Sequence, residues 1–232
     1  MLENALKTLK SLEYGPDVKE LTAEIDAAIA ESKDNPTAAR KIEAGLLEVL
    51  TGDSTHNGKD FACRKLKIVG SDASVSALAA MLHDEKLAHM ARYALDSLPG
   101  DAATKALLDA LPKLSGNLKI GVIGSLGSRQ ANGAVASMAA LLNDSDAAVA
   151  RSAAGALGAI RTPDAAKALA AAKPNPEAIS VAVDSSLACA EAMLASGDKL
   201  GALKMYRQLS KGDPPKHVKL AAAKGMLACA GT

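Results

Sequence analysis

Asp144–Leu169, DSDAAVARSAAGALGAIRTPDAAKAL, is the stretch from which the rest of the chain can be read. Val149, Ala153, Ala156, Leu157 and Ile160 fall at i, i+4, i+7, i+8 and i+11, one face of a helix with 3.6 residues per turn. Asp144 or Ser145 is placed to cap its start. Thr162-Pro163 then offers a capping hydroxyl followed by a proline at the first helical position, where no N–H is needed. The segment reads as turn, small-residue helix, corner and second helix.

The same pattern recurs on both sides. Anchor leucines at Leu66, Leu95, Leu126, Leu157 and Leu187 step by 29, 31, 31 and 30 residues. The companion helices, anchored by Leu78, Leu107, Met138 and Leu169, step by 29, 31 and 31. Two series with one period and two helices per unit predict an α-solenoid. The next anchor in the pattern, Met226, comes 39 residues after Leu187, the interval being lengthened by a helix near 199–210.

AAVARSAAGALGAI (147–160), LAHMARYALDSL (87–98) and LKIGVIGSLGS (118–128) resemble bacterial HEAT-like repeats, including the type found in bilin lyases. The resemblance covers roughly Thr55 to Lys173. It implies an all-α fold, a right-handed α-α superhelix of the armadillo/HEAT superfamily. HEAT repeats often pair an Asp in the turn with an Arg in the second helix. Asp144 with Arg151 fits that pattern, whereas His89, Ile120 and Val181 take the Arg place in other units. GDKLGALKMYRQL (197–209) also resembles a tetratricopeptide helix, for a single helix only.

Composition agrees with helices and sets limits on function. The 232 residues include no Trp, one Phe and three Tyr, so alanine fills the interior and lets helix axes approach closely. No alternating β-branched run supports a strand. A formal net charge of +1 provides no global field for nucleic acid or membrane. Residues 1–50 hold six basic and ten acidic residues and the remainder 21 and 16, which makes the N-terminal fifth acidic. Cys63, Cys189 and Cys229 are widely spaced on small-residue helices and read as reduced core thiols. MLENALKTLKSLEYG has no apolar run of signal-peptide length, and no segment is expected to span a bilayer, so a cytoplasmic location is expected.

Residues 1–54 depart from the repeat: an amphipathic helix through Leu2, Leu6, Leu9 and Leu12, a Gly15-Pro16-Asp17 corner, and a helix with Val18, Leu21, Ile25, Ala28 and Ile29 inward. A third helix follows Asn35-Pro36, with Ile42, Leu46 and Leu50 inward. This section is expected to be a helical cap, with 55–232 forming one continuous repeat domain.

Chemistry-bearing patterns are scarce. His83 and His89 are six apart, which does not align them on one helix face, and no CxxC occurs, so no metal or cofactor is expected. GVIGSLG (121–127) lacks the Lys-Ser/Thr of a phosphate loop and any preceding strand. Its Gly124 and Gly127 match Gly155 and Gly158 in phase, which points to close helix packing. No Ser or Cys is paired in sequence with a His and an orienting acid. A HEAT-like DNA glycosylase would need aromatic residues to hold an extruded base, and one Phe with no Trp supplies few. Nothing beyond the shared repeat points to a bilin.

The remaining lead is geometrical. On helix 145–160 the face opposite the core carries Arg151, Ala154, Gly155 and Gly158. The matching positions are Asp60, Arg64 and Lys67; His89, Arg92, Tyr93 and Asp96; Ile120, Gly124 and Gly127; and Val181, Asp184 and Ser185. Leu220, Lys224 and Leu227 close the series. This surface predicts a non-catalytic scaffold that binds a peptide or a domain on its concave face, through Arg64, His89, Arg92, Tyr93, Ile120, Gly124 and Arg151. The alternatives are a HEAT-like enzyme of bilin-lyase or DNA-glycosylase type, and a structural repeat segment of a larger protein. Leu220 and Leu227 also predict self-association through helix 215–229, or packing on a further repeat.

Overall fold

Two cap-then-proline corners start their helices as the chemistry requires. Asn35 Oδ1 accepts from the Ala38 N–H at 3.1 Å with Pro36 at the first helical position. Thr162 Oγ1 accepts from the Ala165 N–H at 3.3 Å, with Pro163 in the same place. The computed structural model describes residues 2–15 and 18–231, and among these every side chain except that of Leu21. The Gly15-Pro16-Asp17 corner and the inward placement of Leu21 therefore lie outside the described residues. Among the described residues the chain is all-α, with fourteen α-helices, short 3-10 turns and no strand.

The chain divides into two units, residues 1–114 and 115–232. The first contains α1 (Leu2–Leu9), α2 (Val18–Glu31), α3 (Pro36–Thr51), α4 (His56–Val69), α5 (Asp72–Ala80), α6 (Ala88–Leu95) and α7 (Ala102–Ala110). Here α3, α5 and α7 stack in one layer and α4 and α6 in the other, while α1 packs on α2, α3 and α4. The second contains α8 (Gly116–Ser128), α9 (Val135–Leu141), α10 (Ala147–Ile160), α11 (Pro163–Ala171), α12 (Ile179–Ala195), α13 (Lys199–Leu209) and α14 (Lys216–Ala230). There α8, α10, α12 and α14 form one layer, with α9, α11 and α13 in the other.

The repeat anchors explain this layering. Leu66, Leu95, Leu126 and Leu157 are fully buried, as are Leu78, Leu107 and Met138, with Leu169 nearly so. Leu187 is only half-buried, which corrects the fifth anchor. Its place is taken by Cys189, whose thiol reaches the Leu157 carbonyl at 3.7 Å. A small thiol at this position lets α12 approach α10 closely. In α14 the anchor is Gly225 rather than the half-buried Met226. A Cβ at Gly225 would fall 2.3 Å from the buried Tyr206 ring, so the aromatic side chain occupies the space that a larger anchor would need.

Polar devices join one repeat to the next. Glu43 on α3, only 3% exposed, accepts from the Ser71 N–H at 2.7 Å and from the hydroxyls of Ser71 and Ser74. Its carboxylate thus sits at the N-terminus of α5, where unpaired N–H groups favour negative charge. In the second unit Asp146, not Asp144 or Ser145, caps α10 by accepting from the Ala148 N–H at 2.8 Å. The expected Asp144–Arg151 pairing is replaced by contacts across repeats. Lys119 reaches Asp144 at 3.5 Å, Arg151 reaches Glu177 at 2.8 Å and His217 reaches Asp184 at 2.9 Å. Side chains of one second helix reach more easily to the start of the next than back along their own turn.

By length and composition Pro176–Ala195, with mean hydropathy 1.5, could cross a bilayer, contrary to the sequence expectation. In the structure its helix, α12, packs on α10, α11, α13 and α14. Of its most apolar stretch, 33% is buried against these neighbours.

Candidate functional site

In the first unit the candidate surface is the side of α4 and α6 turned away from α3 and α5. The repeat step of 29 puts Arg64 in register with Tyr93 and Asp60 with His89. Asp60 is buried, and its Oδ2 accepts from the Tyr14 hydroxyl and from Arg64 Nε, the latter at 3.0 Å. Tyr14 comes from the loop after α1, outside the repeat, and nothing in the repeat pattern could have revealed it. Burial first, and then the Asp60 carboxylate, push the Tyr14 phenol up to about 12. The bond to Asp60 likewise raises Arg64, whose side chain stays 53% exposed.

Tyr93 is 39% exposed, and the Lys67 ammonium lies 4.0 Å from its ring centroid. That is a cation–π contact, which fixes both side chains at the surface. His89 stands exposed in the first turn of α6. Arg92 is half-buried; burial lowers its pKa while Asp96 acts in the opposite direction. The structure thus brings Arg64, Lys67 and Tyr93 to one surface, each already held by a neighbour, and draws Arg92 inward.

In the second unit the corresponding surface lies on α8, α10 and α12. A Cβ at Gly124 would meet nothing within 4 Å, and one at Gly155 would meet only Val181 Cγ1 at 3.9 Å. Ile120 is half-buried, with its carbonyl accepting from Ser152 Oγ at 3.4 Å. Arg151 is held by Glu177. This is a low glycine floor between Ile120 and Val181. Ala154 and Gly158 do not belong to it, since both are buried. A second helix has neighbours on two sides, which a single-helix projection does not represent. A Cβ on Gly158 would fall 2.7 Å from Ser185 Cβ, and one on Gly127 would fall 3.0 Å from Ala156 Cα. Those two glycines serve close packing of α8, α10 and α12.

Cys63 and Cys189 lie in the interior, whereas Cys229 near the end of α14 is only half-buried, which corrects the expectation of a third core thiol. Burial pushes Cys63 up to about 12 and Cys189 up to about 11. A protonated, enclosed thiol is a poor nucleophile. Among the described residues no group of three or more His, Cys, Asp or Glu side chains is arranged to hold a metal ion.

Residues 104–186 match the family described as HEAT repeats. No curated protein matches the chain. Among solved structures, a designed armadillo repeat protein, YIII(Dq)4CqI, is similar at 18% identity and a TM-score of 0.45, with 99% of this chain and 100% of that one covered.

Proposed function

From the match of residues 104–186 to HEAT repeats we propose that the chain is a HEAT-like repeat protein and a non-catalytic scaffold that binds a protein segment on the exposed face of its second helices. The observation that carries this reading is the α4–α6 surface. Arg64 is anchored on buried Asp60, and Tyr93 is clamped against Lys67 at 4.0 Å, yet both remain substantially exposed. Arg and Tyr are the side chains that most often dominate interface energy, and side chains already immobilised lose less entropy on binding. The glycine floor of the second unit, with nothing within 4 Å of a Cβ on Gly124, offers close backbone approach to an extended segment. The enclosed thiols of Cys63 and Cys189, their pKa raised by burial, support a role in which neither acts as a nucleophile.

The test is selection of binding segments from a displayed peptide library on the purified chain, followed by titration of variants. Arg64→Ala and Tyr93→Ala are each expected to weaken a selected segment by roughly thirtyfold, the loss of an anchor worth about 2 kcal/mol. Lys167→Ala, on exposed α11, is expected to leave affinity unchanged. Equal affinity for all three would place the site elsewhere and overturn the reading.

A further inference from the structure

α14 carries a basic, apolar face that no other described residue covers. Leu220 is 62% and Leu227 74% exposed, with exposed Ala223 between them at helical spacing. Lys216, Lys219 and Lys224 surround this stripe, all exposed, and the sequence of α14 contains no Asp or Glu. The charge extends beyond the helix, since residues 199–230 hold six Lys and one Arg against a single Asp. Such a face rejects a copy of itself, because two α14 helices would set Lys against Lys.

The complementary surface occurs on α2. Ala23, Ala27 and Ala30 are exposed at i, i+4 and i+7, forming a low ridge of the same length as the leucine stripe. Glu20, Glu24 and Glu31 are exposed along one side of that ridge. α2 holds four acidic residues and one Lys, and of the four Asp26, itself exposed, is paired with Lys65 of α4. Ile25 and Ile29 on its other side are buried. One helix therefore offers leucine knobs rimmed by lysine, and the other an alanine ridge rimmed by glutamate.

We propose that α14 of one copy docks on α2 of a second copy, Leu220 and Leu227 seating on the Ala23–Ala27–Ala30 ridge with the lysines facing Glu20, Glu24 and Glu31. The two surfaces differ, so the contact is head to tail, and each copy joined leaves one α2 and one α14 face open. One helix on one helix lies at the small end of specific interfaces, so association is weak and reversible.

Sedimentation equilibrium of the full chain from micromolar to millimolar concentration tests this. The average mass is expected to rise past the dimer in low salt and to fall back at roughly 0.5 M salt, where exposed charges are screened. Leu220→Glu with Leu227→Glu is expected to give monomers with an unchanged circular dichroism spectrum. Glu20→Lys with Glu24→Lys, and separately Lys219→Glu with Lys224→Glu, each juxtapose like charges and are expected to weaken association at least about tenfold. All four charge reversals in one chain restore the complementarity and are expected to restore self-association. The proposal is overturned by a wild-type chain that stays monomeric throughout, by association indifferent to the leucine changes, or by failure of the four-fold reversal to restore it. It is equally overturned if α14 binds vesicles of anionic lipid, in a Lys219- and Lys224-dependent way, while the chain remains monomeric.

Discussion

Four helical glycines differ in what a methyl group at each would meet, and this makes a graded test of the packing. Gly→Ala in a helix interior stabilises by about 0.8–1 kcal/mol through backbone preference alone. At Gly124 nothing lies within 4 Å, and at Gly155 only Val181 Cγ1 at 3.9 Å, so the full gain is expected at both. At Gly127 the new methyl would stand 3.0 Å from Ala156 Cα, and a small displacement cancels most of the gain. At Gly158 it would stand 2.5, 2.7 and 2.9 Å from Oγ, Cβ and Cα of Ser185, the last a main-chain atom of α12 that cannot simply rotate away. Overpacking of that kind costs about 1–3 kcal/mol, which exceeds the helical gain. Gly124→Ala and Gly158→Ala should therefore differ by about 2 kcal/mol, or roughly 4–8 °C in Tm for a chain of this size. Thermal and urea unfolding of the four single variants should rank them 124 ≈ 155 > 127 > 158. Equal stabilisation at all four positions would refute the close approach of α10 to α12.

Perturbations at Glu43, Tyr14 and Asp60 probe the first unit. Glu43→Ala removes a buried carboxylate and leaves the Ser71 and Ser74 donors without it, so urea unfolding should show a loss of about 3 kcal/mol, with Glu43→Gln losing less. The Tyr14 phenol, pushed up to about 12, should titrate late in a tyrosinate absorbance difference between wild type and Tyr14→Phe. Because its folded pKa lies above the unfolded value near 10, its stabilising contribution is complete below pH 10 and is lost as pH rises through 12. Asp60→Asn should move that titration only part of the way down, since burial is the larger cause.

The helices were legible because the period repeats: each anchor from Leu66 to Leu157 is a leucine that a single pattern reaches, and caps such as Asn35-Pro36 and Thr162-Pro163 have local chemistry. Legibility ended where a small residue does an anchor's work. Cys189 replaces Leu187 and Gly225 replaces Met226 because helices come closer there, and closeness is a property of two segments rather than one. The α4–α6 surface was visible as exposed Arg64 and Tyr93. Its support was not, since Asp60 is held by Tyr14 from a segment 46 residues earlier that lacks the repeat. Glu43 likewise reads as one more charge on an amphipathic helix until α5 is placed over it. The cross-repeat pairs of Arg151 and Asp144 were misread for a related reason, the partner lying one repeat away along the stack.

The loop after α1 has a kinetic consequence. Most packing in this chain joins elements one or two helices apart, but the loop after α1 ties itself to the start of α4. Thr55 Oγ1 donates to the Leu12 carbonyl across 43 residues, Asn57 donates to Glu13 across 44, and the Leu9 carbonyl lies where a Cβ on Gly58 would be. Closing so long a loop costs entropy that neighbouring helix pairs do not incur, and contacts of high sequence separation form slowly. The α3–α4 pairing supplies the surface on which α1 lands, so the N-terminal helix is expected to join the first unit last during folding and to leave it first on unfolding, with the fastest amide hydrogen exchange of the unit.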